Sequence, residues 1–343
     1  MIECIFTIDY EIYGNGEGSL KDLIYEPAER LMAIFHKWNA RFVAFVEVAE
    51  LEMIEAEGEN QTIDLIKRQI RYFHDEGFEL GLHLHPQWYN AKLENGRWFL
   101  DYGEYNLCTL SRERIVQIVD RSLAYFRNVL GKSNFTPRSF RAGNWLFQPT
   151  ETASSVLAEK GIKIDSSLFK GGMQHYHGLD YRPALKNGYC WRFQNDINTP
   201  DPTGTLLEIP IYTVMVPTWN MLTAKRIGLA RKSFSTYNSS RQRMTRLRDI
   251  LRLSYPLKLD FCRLTIDKLT SMMDGIIRED HDDPTSFRPV VAIGHTKDLV
   301  DFTTVEAFLS YLSRKGIMTS TFEKVYGRKG VYEYNEDSSR SSF

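Results

Sequence analysis

The sequence predicts an α/β fold: a mostly parallel sheet curled into a closed or nearly closed barrel, with one helical insertion. Three observations predict it. Short apolar runs of strand length alternate with longer amphipathic stretches along most of the chain. The 343 residues suit a single α/β barrel with insertions better than an open sheet. Acids, histidines and an arginine fall just where the strand-like runs end, the place where parallel α/β folds collect reactive groups.

The elements follow in order. Ile2–Ile8 reads as a strand. Glu26–Trp38 reads as a helix, with Pro27 suited to its first turn and Leu31, Ile34, Phe35 and Trp38 on one face. Arg41–Val48 is apolar and β-branched, hence a strand. Gln61–Glu76 is a helix with Ile63, Ile66, Ile70 and Phe73 in register, stopped at Gly77. Phe78–His85 is a strand. Ser111 caps a long amphipathic helix that runs to Leu130. Ser139–Ala142 is a short strand, Thr150–Lys160 a helix ended by Gly161, and Ile162–Ile164 a strand. Leu206–Ile211, Pro289–Ile293 and Ile317–Ser320 complete the strands, with a helix over Thr303–Arg314. Right-handed crossovers between parallel strands follow from this rhythm. Residues 1–330 form one domain. Within it 171–204 is loop-like and 214–283 breaks the rhythm as a helical, basic insertion. The Ser-rich tail 331–343 is disordered.

Composition narrows the function. With 43 basic and 44 acidic residues the net charge is −1, which argues against a nucleic-acid partner. No apolar run approaches a membrane span, and no signal peptide is visible, so a cytoplasmic location is expected. Cys4, Cys108, Cys190 and Cys262 are far apart, without a CxxC. They read as reduced thiols rather than a disulfide framework or a zinc–thiolate site.

Five strand ends carry the candidate chemistry. Asp9 and Glu11 follow the first strand, two residues apart and therefore on one side of an extended backbone. His83 and His85 share that spacing. Two imidazoles on one side of a strand can hold a divalent metal together with a carboxylate. Arg141, Asp165 and His295 end three further strands. A second His-x-His, His175 and His177, lies in a loop with no rigid scaffold and reads as surface or substrate contact.

In this order the residues resemble a known family. Thr7-Ile8-Asp9-Tyr10-Glu11, Gly77 to His83, Ser139 to Trp145, Asp165-Ser166-Ser167 and Gly294-His295 are similar to the motifs of polysaccharide deacetylases, the NodB-homology family or carbohydrate esterase family 4. The resemblance runs from residue 1 to about 325. It implies a distorted (β/α) barrel that removes acetyl groups from sugars, with a divalent metal, commonly zinc. Carried over, Asp9 is the catalytic base, Arg141 its partner and His295 the acid that protonates the leaving group. The metal falls to Glu11, His83 and His85. Two positions depart from the family pattern. Tyr10 stands where a second Asp is usual, so either Glu11 supplies the lost carboxylate or Asp9 ligates the metal itself. Gln87 stands where the second histidine is usual, so His85 has to replace it. The segment His83-Leu84-His85-Pro86-Gln87-Trp88 resembles a branch associated with capsule and lipopolysaccharide synthesis.

Aromatic faces at Trp88, Trp145 and Trp191 are suited to stacking on a sugar. Trp88, Asn144, Trp145 and Asp165 are the candidate substrate-binding residues. Two other functions compete with deacetylation. A glycoside hydrolase on a similar barrel needs two carboxylates flanking a sugar, and Glu208 could pair with Asp9. A catalytically silent sugar-binding relative is compatible with the changes at Tyr10 and Gln87. Residues Lys225 to Lys268 hold twelve Lys or Arg and three Asp. This stretch, with Arg226, Arg231, Arg241, Arg243, Arg246, Arg248, Arg252 and Arg263, reads either as a solvated face or as a patch for a phosphate-bearing substrate carrier, with peripheral membrane contact.

Overall fold

The structure, a computed structural model, describes residues 1–58, 60–184, 188–218 and 253–328. Its centre is a nine-stranded sheet. In chain order the strands are β1 (Ile2–Tyr10), β2 (Val43–Glu47), β3 (Glu79–Leu84), β4 (Ser139–Ala142), β5 (Ile164–Asp165), β6 (Trp191–Phe193), β7 (Leu206–Glu208), β8 (Arg288–His295) and β9 (Met318–Ser320). The spatial order is β6-β7-β5-β4-β3-β2-β1-β8, with β9 sharing the β2 edge of β1. Every pairing is parallel except β6 with β7. The core strands are apolar on both sides because helices cover the outside and side chains fill the inside.

The sheet curls, and its two ends are joined by single bridges. Ile211, three residues beyond β7, bridges both Phe169 and Val291 of β8. Asp260 bridges Ile293 on the same strand. Gly294 makes this approach possible, since a Cβ there would meet the Phe261 ring at 2.5 Å and Cys262 Sγ at 2.7 Å.

The outer layer contains α1 (Glu26–Lys37), α2 (Val48–Ala56), α3 (Asn60–Asp75), α4 (Arg112–Leu130), α5 (Glu151–Glu159), α6 (Ile266–Asp282) and α7 (Phe302–Arg314). Helix α3 packs on α4, α4 on α5, and α6 on α7. Ser111 caps α4 as expected, its Oγ accepting from Arg114 N at 3.2 Å. Helix α2 was not expected. It starts at the C-terminal end of β2, capped by Glu47, whose Oε1 accepts from Ala49 N at 3.2 Å. A short α8 (Phe322–Tyr326) follows β9.

Of the stretch 214–283, expected as a helical insertion, residues 219–252 lie outside the described residues. Its described residues begin with a two-stranded antiparallel ribbon, Thr213–Pro217 paired with Ser254–Lys258. These β-branched and apolar residues pair across a long separation, which local periodicity does not register. Helix α6, in its last third, packs against α7 and belongs to the outer layer. Most of the basic stretch, Lys225 to Arg252, and the tail 331–343 lie outside the described residues.

Candidate active site

Strand register assembles the site row by row. At the mouth of the barrel Asp9 is the direct neighbour of His295, Glu47 of His83, and His83 of Arg141. Asp9 and Glu11 both face the mouth. Tyr10 between them points outward, packs edge-to-face on Phe73, and donates its hydroxyl hydrogen to Gln69 Oε1. The tyrosine that interrupts the acidic pair thus belongs to the outer packing, and Glu11 takes the inward place.

Asp9 is gripped from two sides. Its Oδ1 accepts from Arg141 Nη1 at 2.6 Å, and Oδ2 lies 3.3 Å from His295 Nε2. Arg141 is fully buried and crosses the mouth to reach it. Its Nε donates to Ser166 O at 2.9 Å, and its guanidinium lies 4.2 Å over the Phe45 ring. Burial alone would raise the Asp9 carboxyl, but Arg141, His83 and His295 outweigh it and hold the group below its ordinary range. Burial pushes the His295 imidazole down despite Asp9 and Asp298, whose Oδ2 is 3.7 Å from Nδ1. Asp298 is in turn held by Arg263 Nη2 at 2.6 Å.

Glu11 is the hub of a second cluster. Its Oε2 lies 3.4 Å from His83 Nε2 and 3.0 Å from His85 Nε2, and its Oε1 accepts from Lys297 Nζ at 2.7 Å. Burial opposes its ionisation, yet Lys297 and His85 keep the carboxyl well below the usual range. His83 Nδ1 is 2.8 Å from the Arg141 carbonyl, which can only accept. Nδ1 therefore carries a proton, and Nε2 faces Glu11. Burial would lower the His83 pKa, but Asp9 and Glu11 raise it to about 9, so the spot calls for positive charge.

Two orphaned atoms bear on whether a metal fits. His83 Nε2 and Glu47 Oε2 are buried without a hydrogen-bond partner. One donor atom from each of Glu11, Glu47, His83 and His85 lies within 4.8 Å of all the others. Ligands of a tetrahedral ion with bonds of about 2 Å stand roughly 3.3 Å apart. The two separations from Glu11 Oε2, 3.4 and 3.0 Å, are close to that. A donor set of two imidazoles and two carboxylates suits a borderline divalent ion such as zinc. The residues fit the group. Burial, with His83 only partly opposing it, raises the Glu47 carboxyl to about 8.

The other candidate residues divide. Asn144 and Trp145 are half-buried at the mouth. Asn144 Nδ2 stands 3.3 Å from His85 Nδ1, and the Trp145 ring meets His295 edge-on at 6.0 Å. Both residues are left-handed, with φ of 55° and 60°. For Trp that conformation costs on the order of 1 kcal/mol, a strain typical of functional turns. Gly143 lets this turn approach, since a Cβ there would meet Leu84 O at 2.6 Å. Trp88, expected to stack on sugar, is only 1% exposed and packs edge-to-face on Trp98. Trp191 is likewise buried, its indole N–H donating to Ile197 O. Asp165 is fully buried and accepts from Ser167 N and Oγ, whose hydroxyl oxygen accepts from Ala142 N. It braces the β4–β5 end and presents no exposed surface at the mouth. Glu208 lies beside Asp165, and burial together with that carboxylate holds it well above the ordinary range. Arg263, counted with the phosphate patch, is committed to Asp298. His177 stacks on Tyr105 in a short turn. The four cysteines are unbonded to each other.

Glu47, Lys297 and Asp298 are additions. Glu47 ends β2, so the same strand-end rule that picked out His83 also reaches it. Lys297 and Asp298 stand two and three residues after His295, and only the register of β1 with β8 shows that they fold back onto Glu11 and His295.

No protein-family profile and no curated protein sequence matches the chain. Solved structures do. A protein described as a "probable polysaccharide deacetylase" from Pseudomonas aeruginosa PAO1 aligns with a TM-score of 0.52 at 11% identity, over 97% of this chain and 93% of its own. A GH57 branching enzyme from Thermococcus kodakaraensis aligns at 0.55 and 12% identity, over 95% and 71%. The PuuE allantoinase aligns at 0.50 and 11%, over 96% and 92%. The architecture is thus the distorted (β/α) barrel of the polysaccharide deacetylase type, shared with proteins described by different activities. Among the described residues no helix is long and apolar enough to cross a membrane.

Proposed function

We propose that this chain is a carbohydrate deacetylase, a hydrolase that cleaves the amide C–N bond of an N-acetylated sugar or glycan. The observation that carries the proposal is the Asp9 carboxylate held between Arg141 and His295 beside the Glu11, Glu47, His83 and His85 cluster. Amide hydrolysis needs a base for water, a cation near the carbonyl and an acid for the leaving amine. Asp9, kept ionised by Arg141, takes a proton from the attacking water. His295 delivers a proton to the amine nitrogen as the C–N bond breaks, leaving acetate and a free amine. Each of these proton transfers typically contributes 10²–10⁴-fold. Glu11, Glu47, His83 and His85 would hold a divalent ion, zinc by its donor set, which supplies Lewis-acid polarisation and a more acidic water when bound. Lys297 fixes Glu11 so that its other oxygen faces the two imidazoles.

The glycoside hydrolase alternative is weaker because Glu208 is buried against Asp165 rather than set across a sugar site from Asp9. One assay separates the readings. The protein, with and without added zinc, is incubated with an N-acetylated glucosamine oligomer. Acetate release supports deacetylation. New reducing ends without acetate favour a glycosidase, and neither product favours a silent binding protein.

A further inference from the structure

The two histidines of the cluster differ in what faces their other ring nitrogen. His83 Nδ1 stands 2.8 Å from the Arg141 carbonyl, which accepts. His85 Nδ1 stands 3.3 Å from Gln87 Nε2 and 3.3 Å from Asn144 Nδ2. Both of these are amide NH2 groups, which only donate. His85 Nδ1 is therefore the acceptor, and the ring hydrogen sits on Nε2, directed at Glu11 Oε2 at 3.0 Å. A ring nitrogen that carries a hydrogen has no lone pair to give an ion.

The means of freeing that lone pair lies in the same glutamine. Gln87 is fully buried, and its Oε1 has no hydrogen-bond partner. A buried acceptor without a donor is costly and calls for an explanation. The terminal amide torsion of glutamine has two broad settings about half a turn apart. Turning it over exchanges Nε2 and Oε1 in place. Oε1 then faces His85 Nδ1 and accepts a hydrogen from it, and Nε2 is left with its lone pair. One N–H bond breaks at Nε2 and one forms at Nδ1, the proton exchanging through water. The ring is neutral in both arrangements, so no group changes charge.

The surroundings hold everything else in place. Asp101 N donates to Gln87 O at 3.2 Å and fixes the short Pro86–Trp88 turn. The His85 ring rests on Gly143, where a Cβ would meet Nδ1 at 2.7 Å and Cγ at 2.8 Å. The ring has no room to shift, whereas an amide turn needs none. Asn144 is half-buried, so it can exchange its contact with Nδ1 for one with water.

We propose that Gln87 is a positioning residue for His85, its amide turning over so that Oε1 accepts the Nδ1 hydrogen when a divalent ion is held at Nε2. This rests on the metal reading of the Glu11, Glu47, His83 and His85 cluster. Gln87 stands where a second histidine is usual, and it acts through its neighbour rather than on the ion.

Two measurements that need no turnover test this. Zinc affinity is read by chelator competition, and ring tautomers by nitrogen NMR of histidine-labelled protein, with His85→Gln used to assign the signals. In wild type the His85 hydrogen should be on Nε2 without zinc and on Nδ1 with it. Gln87→Leu offers no acceptor and should weaken zinc binding about tenfold or more, the usual scale for a group that orients a metal histidine. Gln87→Glu accepts in either setting, so the hydrogen should sit on Nδ1 even without zinc, with affinity at least that of wild type. Should the buried carboxylate keep Gln87→Glu from folding, the wild-type tautomers and Gln87→Leu still decide. A hydrogen on Nδ1 in zinc-free wild type, unchanged affinity in Gln87→Leu, or Gln87→Glu binding as weakly as Gln87→Leu overturns the inference. No zinc binding by wild type overturns it together with the metal reading. Acetate measured in parallel separates it from the deacetylase proposal. Acetate release with unchanged zinc affinity in Gln87→Leu removes the positioning role and leaves the deacetylase, and the expected shifts without acetate release do the reverse.

Discussion

Replacing Arg141 by methionine tests the core of the site. Methionine keeps much of the stem volume and removes the charge. In the wild type the guanidinium is fully buried, donates to Asp9 at 2.6 Å and to Ser166 O at 2.9 Å, and neutralises a carboxylate that is only 2% exposed. Removing one partner of a buried pair leaves the other charge uncompensated, at a cost of about 3–5 kcal/mol. At about 2.1 cal/mol/K of unfolding entropy per residue, this lowers Tm by roughly 4–7 °C for a chain of 343 residues. The loss should depend on pH with a definite sign. Asp9 is held below its ordinary value of 3.8. The stability from the pair is therefore present above that value and lost as pH falls through the depressed native pKa. The gap between wild type and Arg141→Met should narrow below about pH 4. Equilibrium urea unfolding in the Asp9→Asn background completes the cycle. If Arg141→Met costs as much there as in the wild type, the two side chains are not coupled and the argument for an ionised base fails.

Three further outcomes are expected. Glu47→Gln should weaken zinc binding at least about tenfold in a chelator-competition titration, and unchanged affinity would remove Glu47 from the donor set. His295→Ala should lower kcat for acetate release by roughly 10² or more with little change in KM, because proton donation matters only in the transition state. Glu79, buried with Ser139 Oγ and Glu323 N donating to its oxygens, has its carboxyl raised by burial to about 7 from 4.5. The folded state then binds more protons than the unfolded state between these values, so this group's contribution falls as pH rises from about 4.5 to 7. The change is at most about 3 kcal/mol, and the difference in unfolding free energy between pH 5 and pH 8 should shrink in Glu79→Gln.

The barrel was legible because its strands are buried on both faces and its helices on one, so both leave strong apolar patterns. Ser139–Ala142 emerged with the same bounds and most other strands within a few residues. Helix α2 was hidden because Val48-Ala49 carries on the apolar character of a buried strand and the charged residues beside it, Glu47 and Glu50, are buried too, Glu50 Oε1 accepting from Ile12 N. The ribbon was hidden because its strands are far apart in sequence and contain Pro217 and Pro256. Among the site residues, Asp9, Glu11, His83, His85, Arg141 and His295 were readable from residue type and strand-end position alone. Trp88 and Asp165 are buried where residue type suggested an exposed contact, for one reason. Residue type gives their chemistry, while exposure is decided by neighbours such as Trp98 and Ser167 that composition cannot locate.

The interrupted acidic pair shows how a donor set can move along the chain and keep its place in space. On an extended strand, residues two apart face the same way. A carboxylate carried from position 10 to position 11 therefore turns from the outer packing back to the mouth, and the vacated position takes Tyr10 and its contacts with Phe73 and Gln69. The same spacing separates His83 from His85, with Leu84 buried between them. Between these strands in the sheet lies β2, whose Glu47 is in direct register with His83. The row running from Glu11 through Glu47 to His83 crosses three adjacent strands and needs no two of its members to be neighbours in sequence. A linear motif records only one strand of such a row at a time. Physical continuity of the site therefore lies in the register, and a departure at Tyr10 or Gln87 counts against the site only if no other residue at these strand ends faces inward. Here Glu11, Glu47 and His85 do.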